Sequence, residues 1–79
     1  MEQTLGQKRI GNFNPSGEGV IDGIKKRASE LIDYIDSNVT ADLTDELNVG
    51  EVMRLKALAL TSVENASMQG VKAYIHYKK

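Results

Sequence analysis

Apolar residues recur along much of this chain in steps of three and four. From Val20 the series is Val20, Ile21, Ile24, Ala28, Leu31, Ile32 and Ile35, the rhythm of one helix face. Lys25, Glu30, Asp33 and Asp36 fall outside that stripe. The pattern predicts a first helix of roughly 22 residues, starting near residue 15 or 16 and ending near residue 37 or 38, about 33 Å long at 1.5 Å per residue. Asn14 can cap it with Pro15 at the first helical position, where the missing N–H is no loss, and Ser16 is an equally good cap. A second periodic stretch reaches to about His76 without a proline. Its start falls between residues 42 and 49, with Thr44 or Asn48 as cap; Asn48 followed by Glu51 has the spacing of a capping box. Gly50 and Gly70 weaken this helix by about 1 kcal/mol each relative to alanine.

The second helix differs from the first in how far its apolar surface extends. Leu55, Ala57, Leu58, Ala59 and Leu60 run almost all the way round it, and Val52, Met53, Val63, Ala66, Met68, Val71, Tyr74 and Ile75 continue the wide coverage. A hairpin buries one stripe of each helix, so a helix apolar on several sides needs a second neighbour. In a chain of 79 residues, that neighbour is expected to be another subunit. Residues 1–13 are mostly polar and aperiodic, and are expected to form a loose arm, with room for one helical turn, that orders only against a partner. The expected fold is all-α: one domain, 1–79, made of a short N-terminal arm (1–13) and an antiparallel helical hairpin (about 15–38 and about 44–76), assembled into a compact homo-oligomer.

Composition narrows the chemistry. A chain this short buries a small fraction of its surface and usually recruits disulfides, metals or partner subunits. It has no cysteine and one histidine, which excludes disulfides, thiolate sites and multi-histidine metal sites. Self-association is the remaining route. The net charge of −1 argues against a DNA- or RNA-coating protein, which needs a strong positive field. The charge is unevenly placed. Five acids and no base lie from Asp36 to Glu51, whereas Arg54, Lys56, Lys72, Lys78 and Lys79 face Glu64 alone from Val52 onward. Lys25, Lys26 and Arg27 form a cationic knot suited to a small anion. No apolar run approaches a membrane span, and the N-terminus lacks the apolar core of a secretory signal, so a soluble cytosolic chain is expected.

No catalytic set emerges. His76 stands among Tyr74, Tyr77 and the terminal lysines, where an ordinary surface or packing role is the simplest account. Glu30, Asp33 and Asp36 are most simply a solvated helix face, and Met53, Met68 and Tyr34 are most simply packing residues. The stretch "FNPSGEGVIDGIKK" is different. Phe13 can staple onto the first helical turn or offer a stacking face to a nucleobase. Asn14 and Pro15 make a turn, and Gly17 and Gly19 permit close approach to the backbone. The free N–H groups of a helix start suit a phosphate, with Lys25 and Lys26 about two turns further in.

"FNPSGEGVIDGIKKRASELIDYI" followed by "RLKALALTSVENASMQGVKAYI" resembles the phage anti-CBASS cyclic-oligonucleotide sponges, whose helical-hairpin domain is shared in part with the anti-Thoeris sponges. The likeness runs from Arg9 to about Tyr74. It rests on the aromatic before the turn, Ile24–Lys25, the Glu30–Leu31–Ile32 run, Ala59 to Thr61 and Val71 to Ala73. The resemblance implies an oligomer of hairpins, often a hexamer, that holds cyclic dinucleotides such as cyclic GMP–AMP between protomers without cleaving them. It implies no catalytic residue, metal or cofactor, and a place in the cytoplasm of an infected bacterial host. By position, Phe13 matches the stacking aromatic and Lys25 the phosphate-contacting lysine, with Asn14, Ser16 and Gly17 around them. The aromatic-to-lysine spacing is shorter than in members with a tyrosine, so Lys26 stands beside Lys25 as a candidate. Some members bind cyclic trinucleotides at a second site; Arg54, Lys56 and Lys72 are candidates for it on charge alone. The competing readings are a small adaptor that oligomerises through its helices, and a minor enzyme subunit.

Overall fold

The computed structural model describes residues 3–11, 19–40 and 48–78, and these residues are helical with short connecting ends. Helix α1 is Leu5–Ile10, α2 is Gly19–Asn38 and α3 is Val49–Lys78. The start expected for the first helix near residue 15, its caps Asn14 and Ser16, and the stretch 41–47 lie outside the described residues. Asn48 stands immediately before α3, and its carbonyl accepts the N–H of Val52 at 2.9 Å. Glu51, expected to complete a capping box, turns both carboxylate oxygens to Arg54, at 2.6 and 3.2 Å.

Helices α2 and α3 form an antiparallel hairpin. Lys56, early in α3, reaches Asp36, late in α2, at 3.0 Å. Gly70, late in α3, packs against Ile24, early in α2. The apolar core is narrow: Ile32 is 0% exposed and Leu60 6%. The small residues Ser29 and Ser67 are also buried, and the Ser29 hydroxyl donates to the Lys26 carbonyl at 3.0 Å. The carbonyls at the end of α2 find partners in side chains. The Asn38 amide donates to Tyr34 O at 2.8 Å, and Lys56 Nζ to Asp36 O at 3.3 Å, a cation where the helix dipole favours one.

The N-terminal residues depart from the loose arm that the sequence led us to expect. Thr4 caps α1 through a capping box: its hydroxyl accepts from Gln7 N at 3.2 Å, and its own N–H donates to Gln7 Oε1 at 2.9 Å. The helix then docks within its own chain. Gly6 is buried, and its N–H, unpaired within so short a helix, donates to Asp33 Oδ1 of α2 at 2.7 Å. Arg9 forms an ion pair with Glu64 of α3. Its buried Nε makes no aligned hydrogen bond there, so the contact is one of charge. At the end of α1, Gly11 takes φ +96° while its N–H donates to Gln7 O at 3.1 Å, a turn that glycine makes without a Cβ clash.

Candidate functional site

Antiparallel pairing decides which charged residues share an end of the molecule. Lys25, Lys26 and Arg27 lie in the first part of α2. Because Gly70 packs on Ile24, Lys72 belongs to the same end. Arg54 and Lys56 lie at the other end, about 24 Å from Lys72 for the sixteen residues between 56 and 72. Arg54, Lys56 and Lys72 are therefore not brought together. Arg54 is exposed and held by Glu51, whose hydrogen bond raises the guanidinium pKa above its ordinary value. Lys56 is only 11% exposed at its side chain and is engaged by Asp36.

At the first end, Lys25 is half-buried and Lys26 exposed. Lys25 stands one heptad before Ile32, in the column of α2 that faces the core, and Lys26 is turned about 100° away from it. Neither forms an ion pair with another described residue. Arg27 folds back along its own helix, donating from Nη1 to the Gly23 carbonyl at 3.2 Å. Phe13, Asn14, Ser16 and Gly17 lie outside the described residues. Gly11, the last residue described after α1, and Gly19, the first of α2, bound the segment that holds them.

The sequence pattern assigned Asp33 to a solvated helix face and gave Gly6, Arg9 and Glu64 no structural role, yet these four dock α1 and so govern where the chain enters this segment. One signal for α1 was present: Thr4 followed three residues later by Gln7 is the capping-box pattern. The partner of Gly6 had no local signal, because Asp33 is 27 positions away. No group of acids, cysteines and histidines suited to a metal ion occurs among the described residues. No described helix is long and apolar enough to cross a membrane.

The described residues define the class of small all-α helical hairpins, here with cations gathered at one end. The family follows from comparison. Residues 7–74 match the model of the Acb2/Tad1 hairpin domain, and with the match spanning most of the chain, this protein belongs to that family. The Acb2/Tad1 hairpin is that of the anti-CBASS and anti-Thoeris cyclic-oligonucleotide sponges, a family that binds its ligands and is not known for catalysis. No curated protein and no solved structure matches significantly.

Proposed function

We propose that this chain binds and sequesters cyclic oligonucleotide second messengers without cleaving them, and so blocks an anti-phage immune response in the cytoplasm of the infected bacterium. The ligands are cyclic dinucleotides such as cyclic GMP–AMP, and cyclic trinucleotides at a second site. The observation that carries this reading is the family match over residues 7–74, which includes the Phe13–Lys26 stretch and both hairpin helices. Sequestration requires affinity and no chemistry. A base stacks on Phe13, the helix start and Asn14, Ser16 and Gly17 receive the phosphate, and Lys25 or Lys26 supplies the cation. The site lies between protomers of a homo-oligomer, six being the number the resemblance favours, and a nearly two-fold ligand suits a two-fold pair of chains. The second site draws on the cations that remain, Arg54, Lys56 and Lys72 among them. The 24 Å between the ends of that set requires two chains to compose one site from them.

Titration calorimetry with cyclic GMP–AMP tests the first site. Phe13→Ala is expected to lose about 1–3 kcal/mol of binding, the value of one base stack. Lys25→Ala is expected to lose about 1.5–3 kcal/mol, the value of a charge-assisted hydrogen bond. Unchanged affinity in both variants would place the site elsewhere. A silent Lys25→Ala beside a weakened Lys26→Ala would move the phosphate contact by one residue. The adaptor reading draws support from the extent of exposed apolar surface, with Leu55, Leu58 and Met68 each more than half exposed. Native mass spectrometry separates the readings: an oligomer carrying intact ligand supports sequestration, a bare oligomer supports the adaptor, and converted ligand supports an enzyme.

A further inference from the structure

Two columns of residues along α3 face α2, and each ends in a tyrosine. Leu60 and Ser67, one heptad apart, are buried, and the next residue of that column is Tyr74. In the other column Val63 lines the α2–α3 seam, Gly70 packs on Ile24, and Tyr77 follows one heptad later. Seven residues turn a helix to within about 20° of two full turns, so Tyr77 stays on the side of α3 that looks toward α2. Its ring is nevertheless 84% exposed. Because Gly70 is level with Ile24, Tyr77 comes level with a point about 3 Å beyond Gly19, the first residue of α2. Side chains lean toward the N-terminus of their helix, which brings the Tyr77 ring back beside the first turn of α2. Tyr74 stands against it, with ring centroids 6.2 Å apart and planes inclined by 39°, a tilted arrangement that aromatic quadrupoles favour.

We propose that Tyr77 is a base-stacking residue of the cyclic oligonucleotide site, propped by Tyr74. The inference rests on the sequestration reading and adds to it a contact from α3. Tyr77 lies beyond residues 7–74, the span of the family match, so this contact is a property of the chain itself and is not carried over from the family. The surroundings of the ring favour a nucleotide over a protein partner. His76 and Lys78, on either side of it, are exposed and polar, so the ring is not part of a continuous apolar patch of the kind that a protein covers. Lys25 is six residues, about 9 Å, from the start of α2 and leans toward that start. It is half-buried and forms no ion pair with another described residue. An open aromatic face near a cation meets the two needs of a nucleotide, a stack for the base and a charge for the phosphate. A cyclic dinucleotide presents two bases, and Tyr77 supplies an aromatic face in addition to that of Phe13.

Cyclic GMP–AMP titrated into the parent, Tyr77→Leu and Tyr77→Phe tests this. Leucine keeps an apolar side chain but has no π-face; phenylalanine keeps the ring and loses only the hydroxyl. Tyr77→Leu is expected to raise the Kd at least about fivefold, the lower end of the worth of one stacked base. Tyr77→Phe should stay within about twofold of the parent, because its ring still stacks. Sedimenting mass should be the same in all three. Tyrosine emission gives a second readout, since the chain has three tyrosines and no tryptophan. With Tyr34→Phe and Tyr74→Phe in place Tyr77 is the sole emitter, and bound ligand is expected to quench most of its emission. An unchanged Kd in Tyr77→Leu, an equal loss in Tyr77→Phe, or ligand bound without quenching would each overturn the proposal and leave the sponge standing. A lower sedimenting mass in Tyr77→Leu would do the same, because affinity would then be lost through assembly. Should Tyr77→Leu lose its helical circular dichroism, the quenching of Tyr77 still decides. A parent that binds no cyclic GMP–AMP would sink the sponge reading, and the stacking role with it.

Discussion

Gly6 and Gly70 are both helical glycines, and their surroundings give them opposite expectations. A Cβ on Gly6 would stand 2.0 Å from the Ser29 carbonyl oxygen. That atom belongs to the α2 backbone and cannot swing aside. Gly6→Ala is therefore expected to push α1 off its seat and break the bond to Asp33, lowering stability by about 1–3 kcal/mol. Urea unfolding of the variant checks the loss, and faster amide exchange confined to residues 5–10 checks its location. A Cβ on Gly70 would meet Ile24 at 3.7 Å, ordinary van der Waals contact. Gly70→Ala should raise stability by about 0.5–1 kcal/mol through the lower backbone entropy of the unfolded chain. An unchanged or lower urea midpoint would show that the α2–α3 approach at this point is closer than the structure has it.

At the scale of the element, the second and third helices were legible and the first was not. Period and caps are local properties, and the stripe from Val20 to Ile35 needed no partner to be recognised. Helix α1 has six residues, too few for a period, and an isolated helix of that length is unstable in water. Its order comes from contacts with α2 and α3 that no local pattern announces. The Lys56–Asp36 contact is another such tie, fastening the end of α2 to the start of α3. Asp36 is 43% exposed at its side chain, so the pair is worth little more than a surface salt bridge. Lys56→Ala is expected to cost about 1 kcal/mol, combining a modest ion pair with the lost cation at a helix C-terminus. The cost should shrink in 1 M salt, where screening acts within about 3 Å. A loss independent of salt would mean that the packing of the lysine stem carries the effect.

For the whole molecule, the self-association proposed above would make stability a matter of concentration. If folding and association are linked, the melting temperature rises with protein concentration by mass action. We expect a clear rise between 1 and 100 micromolar chain in circular dichroism melts, about 2.7 kcal/mol of added stability for each hundredfold excess over the dissociation constant. A melting temperature that stays constant over that range would show a monomer stable alone, and the exposed Leu31, Leu55 and Leu58 would then need another partner. The distribution of charge also belongs to this scale. Lys25, Lys26, Arg27 and Lys72 gather at one end because the hairpin is antiparallel, while Arg54 and Lys56 go to the other. The sequence offered Arg54, Lys56 and Lys72 as one set only because proximity in charge type was all that composition could report.

The sequence by itself determined the helical class, the two long helices and an apolar surface too wide for one hairpin, since each follows from the identity and spacing of near neighbours. It also carried the family likeness, through the order of short motifs from Phe13 to Ala73. Only the tertiary structure decided that α1 folds back onto its own chain, that Asp33 receives the Gly6 N–H, and that the cations divide between two ends. Those outcomes depend on pairs such as Gly6 with Asp33, Arg9 with Glu64 and Asp36 with Lys56. Such pairs are distant along the chain, and close packing of the helices sets their distances, so no periodicity in the sequence encodes them.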